Sequence, residues 1–217
     1  MSTGPNGEAA APASDITLTE EEKQQIRDGG YKAAISLHYG GNDWATSQLE
    51  GLKATFKDLG IEIVATTDAN FSAEQQVSDI ETIMAKIRMS SSRIPTERHS
   101  YCRRVQEKRQ MNGIKLIFMD NVPSEMTAGK DYVSCVSADN YGNGCVAAEL
   151  MGEALGGKGQ IGMVYYDADF FVTNQRDQGF KETMAAKYPD IEIVTEQGFT
   201  DENGCSEQGD AILTQYL

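Results

Sequence analysis

An α/β fold, with parallel strands covered by helices on both faces, is what the sequence predicts, and three observations predict it. From Tyr31 onward, short apolar runs alternate with longer stretches of near-helical spacing. Glycine, asparagine or aspartate bounds the short runs, as loop residues should. The helical stretches are long enough to serve as crossovers, so consecutive strands build βαβ units. Right-handed crossovers then place helices on both sides of the sheet.

The elements follow in order. "YKAAISL" is a buried strand that ends before Gly40 and Gly41. "DWATSQLEGLKATFKDLG" is a helix with Trp44, Leu49, Leu52 and Phe56 near one face, Asp43 as N-cap and Gly60 beyond its end. "IEIVATT" is a second strand. "SAEQQVSDIETIMAKI" is a second helix, with Ser72 and Gln75 spaced as a capping box. "IKLIFMD" and "YVSCVS" are strands, and "NYGNGCVAAELMGEALGG" is a helix stopped by glycine. "QIGMVYY", "VTNQRDQGFKETMAAKYP" and "IEIVTEQ" repeat strand, helix and strand, and a helical "CSEQGDAILTQYL" closes the chain.

Composition narrows the function classes. A net charge of −14 argues against a phosphate-backbone partner and an anionic lipid surface, both of which require a basic face. No apolar run reaches membrane-spanning length. Cys102, Cys135, Cys145 and Cys205 have no CxxC spacing, so they read as free thiols rather than zinc ligands. No metal or cofactor is expected. "MSTGPNGEAAAPASD" lacks the basic and apolar regions of a signal peptide, and residues 1–30 read as a disordered tether.

In parallel sheets of this kind, ligands bind beyond the carboxyl ends of the strands. The residues there are His38 to Trp44, Asp68 to Phe71, Asp120 and Asn121, Asp139 and Asn140, and Asp167 to Arg176. Trp44, Tyr39, Phe170 and Phe171 offer aromatic faces for the C–H side of a sugar ring. Asn42, Asp120, Asn121 and Arg176 offer the planar groups that pairs of hydroxyls favour. Asp139 fits a helix cap as well as a ligand contact. "GKGQIG" at Gly157 to Gly162 formally matches GxGxxG. Its glycines follow a helix and lead into a strand, the reverse of a dinucleotide-binding turn. With two histidines, His38 and His99, and no GxSxG elbow, no catalytic nucleophile stands out, and the chain is read as a non-enzyme.

The run "SLHYGGNDWATSQLEGLKATFKDLGIEIVATTDANFSAEQQVSDIETIMAK" resembles the opening of type I periplasmic sugar-binding proteins, the ribose/galactose class of solute receptors for ABC importers. "GIKLIFMDNVP", "YVSCVSADNYGNG" and "YYDADFFVTNQRDQGFKETMAAKYPDIEIV" continue the resemblance in register. It implies two α/β lobes, an N-terminal one over 31–138 and a partial C-terminal one over 139–217, with the second lobe incomplete and the chain a fragment whose binding is impaired. It also implies a mono- or small oligosaccharide ligand held between the lobes, ABC permease subunits in the membrane as partners, and no stable homo-oligomer. The ligand set it implies is Asn42, Trp44, Asp120, Asn121, Asp139, Phe170, Asn174 and Arg176. The family works outside the cytoplasmic membrane, in the periplasm or on a lipid anchor, although this chain as written carries no signal peptide. Two other readings stay open. One is an α/β enzyme acting on a sugar phosphate or nucleotide, and the other is the ligand-sensing domain of a LacI-type regulator.

One stretch departs from the resemblance. Six of the eight arginines fall between Arg88 and Arg109. Where the family usually carries a buried strand reading Lys-Asn-Pro-Asp-Val-Ile-Ile, this chain reads "KIRMSSSRIPTE". Restoring one lost base in a possible coding of the segment recovers the family pattern. Residues 87–112 are therefore read as frame-slipped and the lobe as disrupted there. A central parallel strand needs apolar residues on both faces, and each serine in place of buried Val or Ile would forfeit roughly 1.5–3 kcal/mol.

Overall fold

The structure is a computed structural model. It describes residues 3–4, 7–86, 91–93, 114–123, 126–168, 170–200 and 202–216. The chain divides into two compact units, Gly4–Ser137 and a second one that begins at Ala138.

The N-terminal unit contains α1 (Glu20–Asp28), β1 (Lys32–Leu37), α2 (Asp43–Asp58), β2 (Glu62–Asp68), α3 (Ala73–Lys86), β3 (Ser91–Arg93), β4 (Leu116–Met119) and β5 (Ser134–Val136). The strands form one sheet in the order β2-β1-β3-β4-β5, and every pairing is parallel. Side chains alternate across the sheet, so successive residues of a strand feed opposite cores. On one face Ile35, Leu37 and Met119 pack with Leu49, Leu52 and Phe56 of α2. On the other, Leu116, Phe118 and Tyr132 pack with Val77 and Ile80 of α3, while Ala34 packs with Ile83. Residues 33–37 of β1 are all buried, as expected for a strand covered on both sides.

Three local expectations are corrected. Part of the expected tether is helix. Thr19 Oγ1 accepts from Glu22 N at 3.2 Å and Glu22 Oε2 accepts from Thr19 N at 2.8 Å, a complete capping box. The acidic first turn suits the helix dipole, and Arg27 Nε anchors the helix to the Asp58 carbonyl at 3.1 Å. The N-cap of α2 is Asn42 rather than Asp43, because Asn42 Oδ1 accepts from Ala45 N at 2.8 Å. Ser72 does cap α3 through Gln75 N at 3.2 Å, but the Gln75 side chain bonds forward to Asp79 instead of back to Ser72.

The serine-rich stretch occupies the centre of the sheet. Ser91, Ser92 and Arg93 pair with β1 on one side and β4 on the other. The remainder of the expected frame-slipped segment, residues 87–90 and 94–112, lies outside the described residues.

The C-terminal unit contains α4 (Asn140–Ala154), β6 (Lys158–Tyr166), α5 (Phe171–Lys187), β7 (Asp190–Phe199) and α6 (Glu202–Tyr216). Strands β6 and β7 pair in parallel. Ala148, Ile161, Met184 and Ile191 form its core with Leu155, Phe180, Tyr188 and Ile193 packed around them. Gly157 at φ 81° turns the chain from α4 into β6, so the glycine run is a helix stop and a strand entry, not a phosphate cradle.

Helices α4 and α5 meet backbone to backbone. A Cβ on Gly144 would run into the Arg176 carbonyl, and one on Gly179 would run into the Tyr141 carbonyl. Only glycine permits that approach. Among the described residues, no helix is long and apolar enough to cross a membrane.

Candidate functional site

In the N-terminal unit the loops after β1 and β2 are laced together. Ala69 N donates to the Leu37 carbonyl at 2.9 Å and Phe71 N to the His38 carbonyl at 2.7 Å. Asp68 accepts from both loops, from Gly40 N at 3.0 Å and Asn70 N at 2.9 Å. These bonds hold Asn70 and Phe71 in the left-handed region, at φ 47° and 63°. Such conformations persist only where the surroundings over-determine them. The outcome is an aromatic cluster at the strand ends. Phe71 stacks on Tyr39 at 4.3 Å and meets His38 edge-on at 5.3 Å, yet remains 51% exposed.

Asp120, directly after β4, is the third non-glycine residue with positive φ among the described residues, at 60°. Its N–H donates to the Val136 carbonyl at 2.9 Å, and its Oδ1 accepts from Ser137 Oγ at 2.8 Å. Its carbonyl accepts from the Cys135 thiol at 3.4 Å, and burial pushes that thiol's pKa up to about 12. Nδ1 of His38 is buried and finds no hydrogen-bond partner. Burial lowers the His38 pKa, against the opposing pull of Asp68 and Asp120.

In this unit, then, Trp44 is open, 44% exposed. Asn42 is exposed, but its Oδ1 is committed to the α2 cap. Asp120 keeps one carboxylate oxygen beyond its bond to Ser137. Asn121 is buried, 9% exposed, which removes it from the open strand-end surface.

In the C-terminal unit the corresponding region lies where β6 enters α5. A cavity of about 260 Å³ is lined by Tyr166, Asp167, Thr173, Asn174 and Asp177, among others. Phe170 stacks on Tyr166 at 5.7 Å and 11°. Arg176 is exposed, and its Nε donates to Asn140 Oδ1 at 2.9 Å. Asp139 caps α4 through Gly142 N at 2.8 Å, so its Oδ1 performs the alternative role weighed for it from sequence. Asn174 thus lines the cavity beside Tyr166, on which Phe170 stacks, whereas Arg176 on the same first turns of α5 is bonded to Asn140 on α4.

Sequence reading passed over the joint role of Asp68, the stacking of Phe71 on Tyr39, and the contact between Asn140 and Arg176. The first two fall within stretches singled out as strand ends. The third joins residues 36 positions apart and left no local signal.

Each unit by itself gathers polar planar groups and an aromatic face at the carboxyl ends of parallel strands, the arrangement of an α/β binding protein. Residues 95–217 match the periplasmic binding protein domain, and the chain belongs to that family. No curated protein matches the sequence.

Solved structures share the fold. A solute-binding protein of an ABC transporter from Agrobacterium vitis, bound to α-D-tagatopyranose, is 23% identical with a TM-score of 0.75, covering 86% of this chain and 64% of its own. The periplasmic component of the arabinose ABC transporter from Shewanella sp. ANA-3, bound to α- and β-L-arabinofuranose, is 18% identical with a TM-score of 0.73, covering 85% and 60%. An arabinose-binding protein from Geobacillus stearothermophilus is 18% identical with a TM-score of 0.72, covering 86% and 63%. The chain therefore spans less than two thirds of the length of these neighbours.

Proposed function

We propose that the chain is a solute-binding component of an ABC-type sugar importer, working outside the cytoplasmic membrane, that captures a mono- or small oligosaccharide and passes it to permease subunits. The observation that carries this reading is the strand-end chemistry of a chain in this family. Trp44 and Asp120 stand at the strand ends of one unit, and Phe170, Asn174 and Arg176 at those of the other. An indole face takes the apolar side of a sugar ring, while a carboxylate and a guanidinium fork take pairs of hydroxyls. The role is capture, not catalysis. The solved neighbours bound to tagatopyranose and arabinofuranose support the ligand class.

Calorimetric titration of the chain with L-arabinose, D-tagatose and D-allose, beside a panel of amino acids and short peptides, tests this. Saturable heat with a sugar is expected, and Trp44→Ala should weaken it about tenfold, the worth of ~1.4 kcal/mol. Binding of amino acids or peptides without sugars would overturn the reading.

A further inference from the structure

Arg176 projects from the first turns of α5 with an exposed side chain, and a flexible exposed arginine pays heavily in rotamer entropy whenever it grips a ligand. Here that freedom is already restricted. Asn140 is 2% exposed. Its Oδ1 accepts from Arg176 Nε at 2.9 Å, and its Nδ2 donates to the Ala138 carbonyl at 3.1 Å. The amide therefore spans from the arginine to the backbone where the C-terminal unit begins. It uses one donor of a planar five-donor group, and among the described residues no other hydrogen bond of Arg176 is formed, so both Nη groups remain. The helices that carry the two residues cannot slide apart or rotate freely. Gly144, one turn past Asn140, lies against the Arg176 carbonyl, and Gly179, three residues past Arg176, lies against the Tyr141 carbonyl. Two glycine contacts thus fix the backbones that a single short amide must bridge.

We propose that Asn140 is a positioning residue whose buried amide ties Arg176 Nε to the Ala138 carbonyl and thereby presents the two Nη groups as a preset fork for a pair of sugar hydroxyls. The inference rests on the sugar-binding reading for its ligand, but the clamp itself is a property of the free chain.

The test separates the two. In ¹⁵N NMR of the 217-residue chain, the arginine Nε–H signals are recorded near neutral pH, and Arg176→Lys identifies the one from Arg176. That signal persists in the unmodified chain, because a bonded Nε–H exchanges slowly with water. Asn140→Ala speeds its exchange at least about tenfold, by removal of a bond to a charged donor. Asn140→Asp, which keeps an acceptor oxygen but loses the donor to Ala138, retains the slow exchange. Titration with L-arabinose and D-tagatose then shows Asn140→Ala weakened to the level of Arg176→Lys, and Asn140→Asp recovering part of the affinity. A merely structural asparagine would not distinguish the alanine from the aspartate in this way.

A slow Arg176 signal in Asn140→Ala overturns the proposal, as does unchanged sugar affinity in that variant. If Asn140→Ala does not fold, fast exchange at Arg176 in the unmodified chain or in Asn140→Asp overturns it equally. If no sugar titrates the unmodified chain while the Arg176 signal behaves as stated, the sugar reading fails and the clamp stands.

Discussion

In the N-terminal unit the strand ends are shaped by backbone, and in the C-terminal unit by a pair of helices. The loops after β1 and β2 hold Phe71, Tyr39 and His38 through hydrogen bonds to Asp68 and between main chains, at the cost of two non-glycine residues in the left-handed region. The C-terminal unit has no such strained position among its described residues. It fixes Arg176 and Asn140 by packing α4 on α5 through Gly144 and Gly179. The first arrangement stores strain locally and can be released by removing one carboxylate. The second depends on the absence of two side chains, and any atom added there must move a whole helix. Similar polar and aromatic groups can therefore be mounted at strand ends on supports with quite different sensitivities to mutation.

The largest effect expected from this contrast is in the helix pair. In Gly144→Leu the new side chain meets the Arg176 carbonyl and the Phe180 N–H, atoms that cannot swing aside. Overpacking of a core typically costs about 1–3 kcal/mol, and a collision with backbone puts this variant at the top of that range or above. Hydrogen-exchange mass spectrometry should show peptides from 140–187 losing protection, while those from 32–68 keep theirs. Equal loss in both units would erase the distinction between them.

Next in size is the latch of the N-terminal unit. Asp68→Ala removes the acceptor for Gly40 N and Asn70 N. Hydrogen bonds to charged groups are worth about 1.5–3 kcal/mol, and part of that returns as relief of backbone strain at Asn70 and Phe71. A net loss of about 1–2 kcal/mol is expected. Trp44 is the single tryptophan and belongs to this unit, so its fluorescence during denaturant unfolding reads the change directly. No shift in midpoint would mean that the loop is held by its main-chain bonds alone.

Sequence made the two supports legible to different degrees. Apart from α1 and β3, strand and helix order came through because apolar periodicity marks each element, and both faces of the parallel sheet are covered as the alternation requires. Trp44, Asp120 and Arg176 could be placed at strand ends because the end of an apolar run marks the loop that follows. Asn121 could not be told from its neighbour Asp120, since adjacent residues after a strand point differently only once the loop conformation is set, and the left-handed turn at Asp120 sets it. The tether expectation failed over 20–28 because a helix with no buried residue has no apolar stripe to read, although Thr19 and Glu22 do stand at capping-box spacing. The clamp at Asn140 was illegible for a topological reason. It joins the start of one helix to another beyond an intervening strand, and only the fold brings them within 2.9 Å.

The smallest effect expected is a pH dependence confined to the backbone-supported unit. His38 follows β1 with its Nδ1 buried and unpartnered. Burial lowers its pKa, while Asp68 and Asp120 pull the other way and leave only part of that shift. In the unfolded chain the imidazole titrates near its ordinary value of about 6.5. Between the lowered folded value and the unfolded one, the unfolded chain binds more protons, so stability rises with pH there. The contribution of neutral His38 is accordingly complete above the unfolded value and is lost as pH falls through the folded one. Trp44-monitored unfolding at about pH 7.5 and about pH 5.5 samples the upper part of that window before most carboxylates begin to protonate. The unmodified chain should lose stability on acidification, and His38→Gln, which cannot charge, should lose less. The C-terminal unit has no histidine, so exchange protection in 140–187 should hardly change between the two pH values once the intrinsic rate is corrected. If His38→Gln loses as much as the unmodified chain, the imidazole is not the group that titrates, and the loop ends of the N-terminal unit owe nothing to its neutral form.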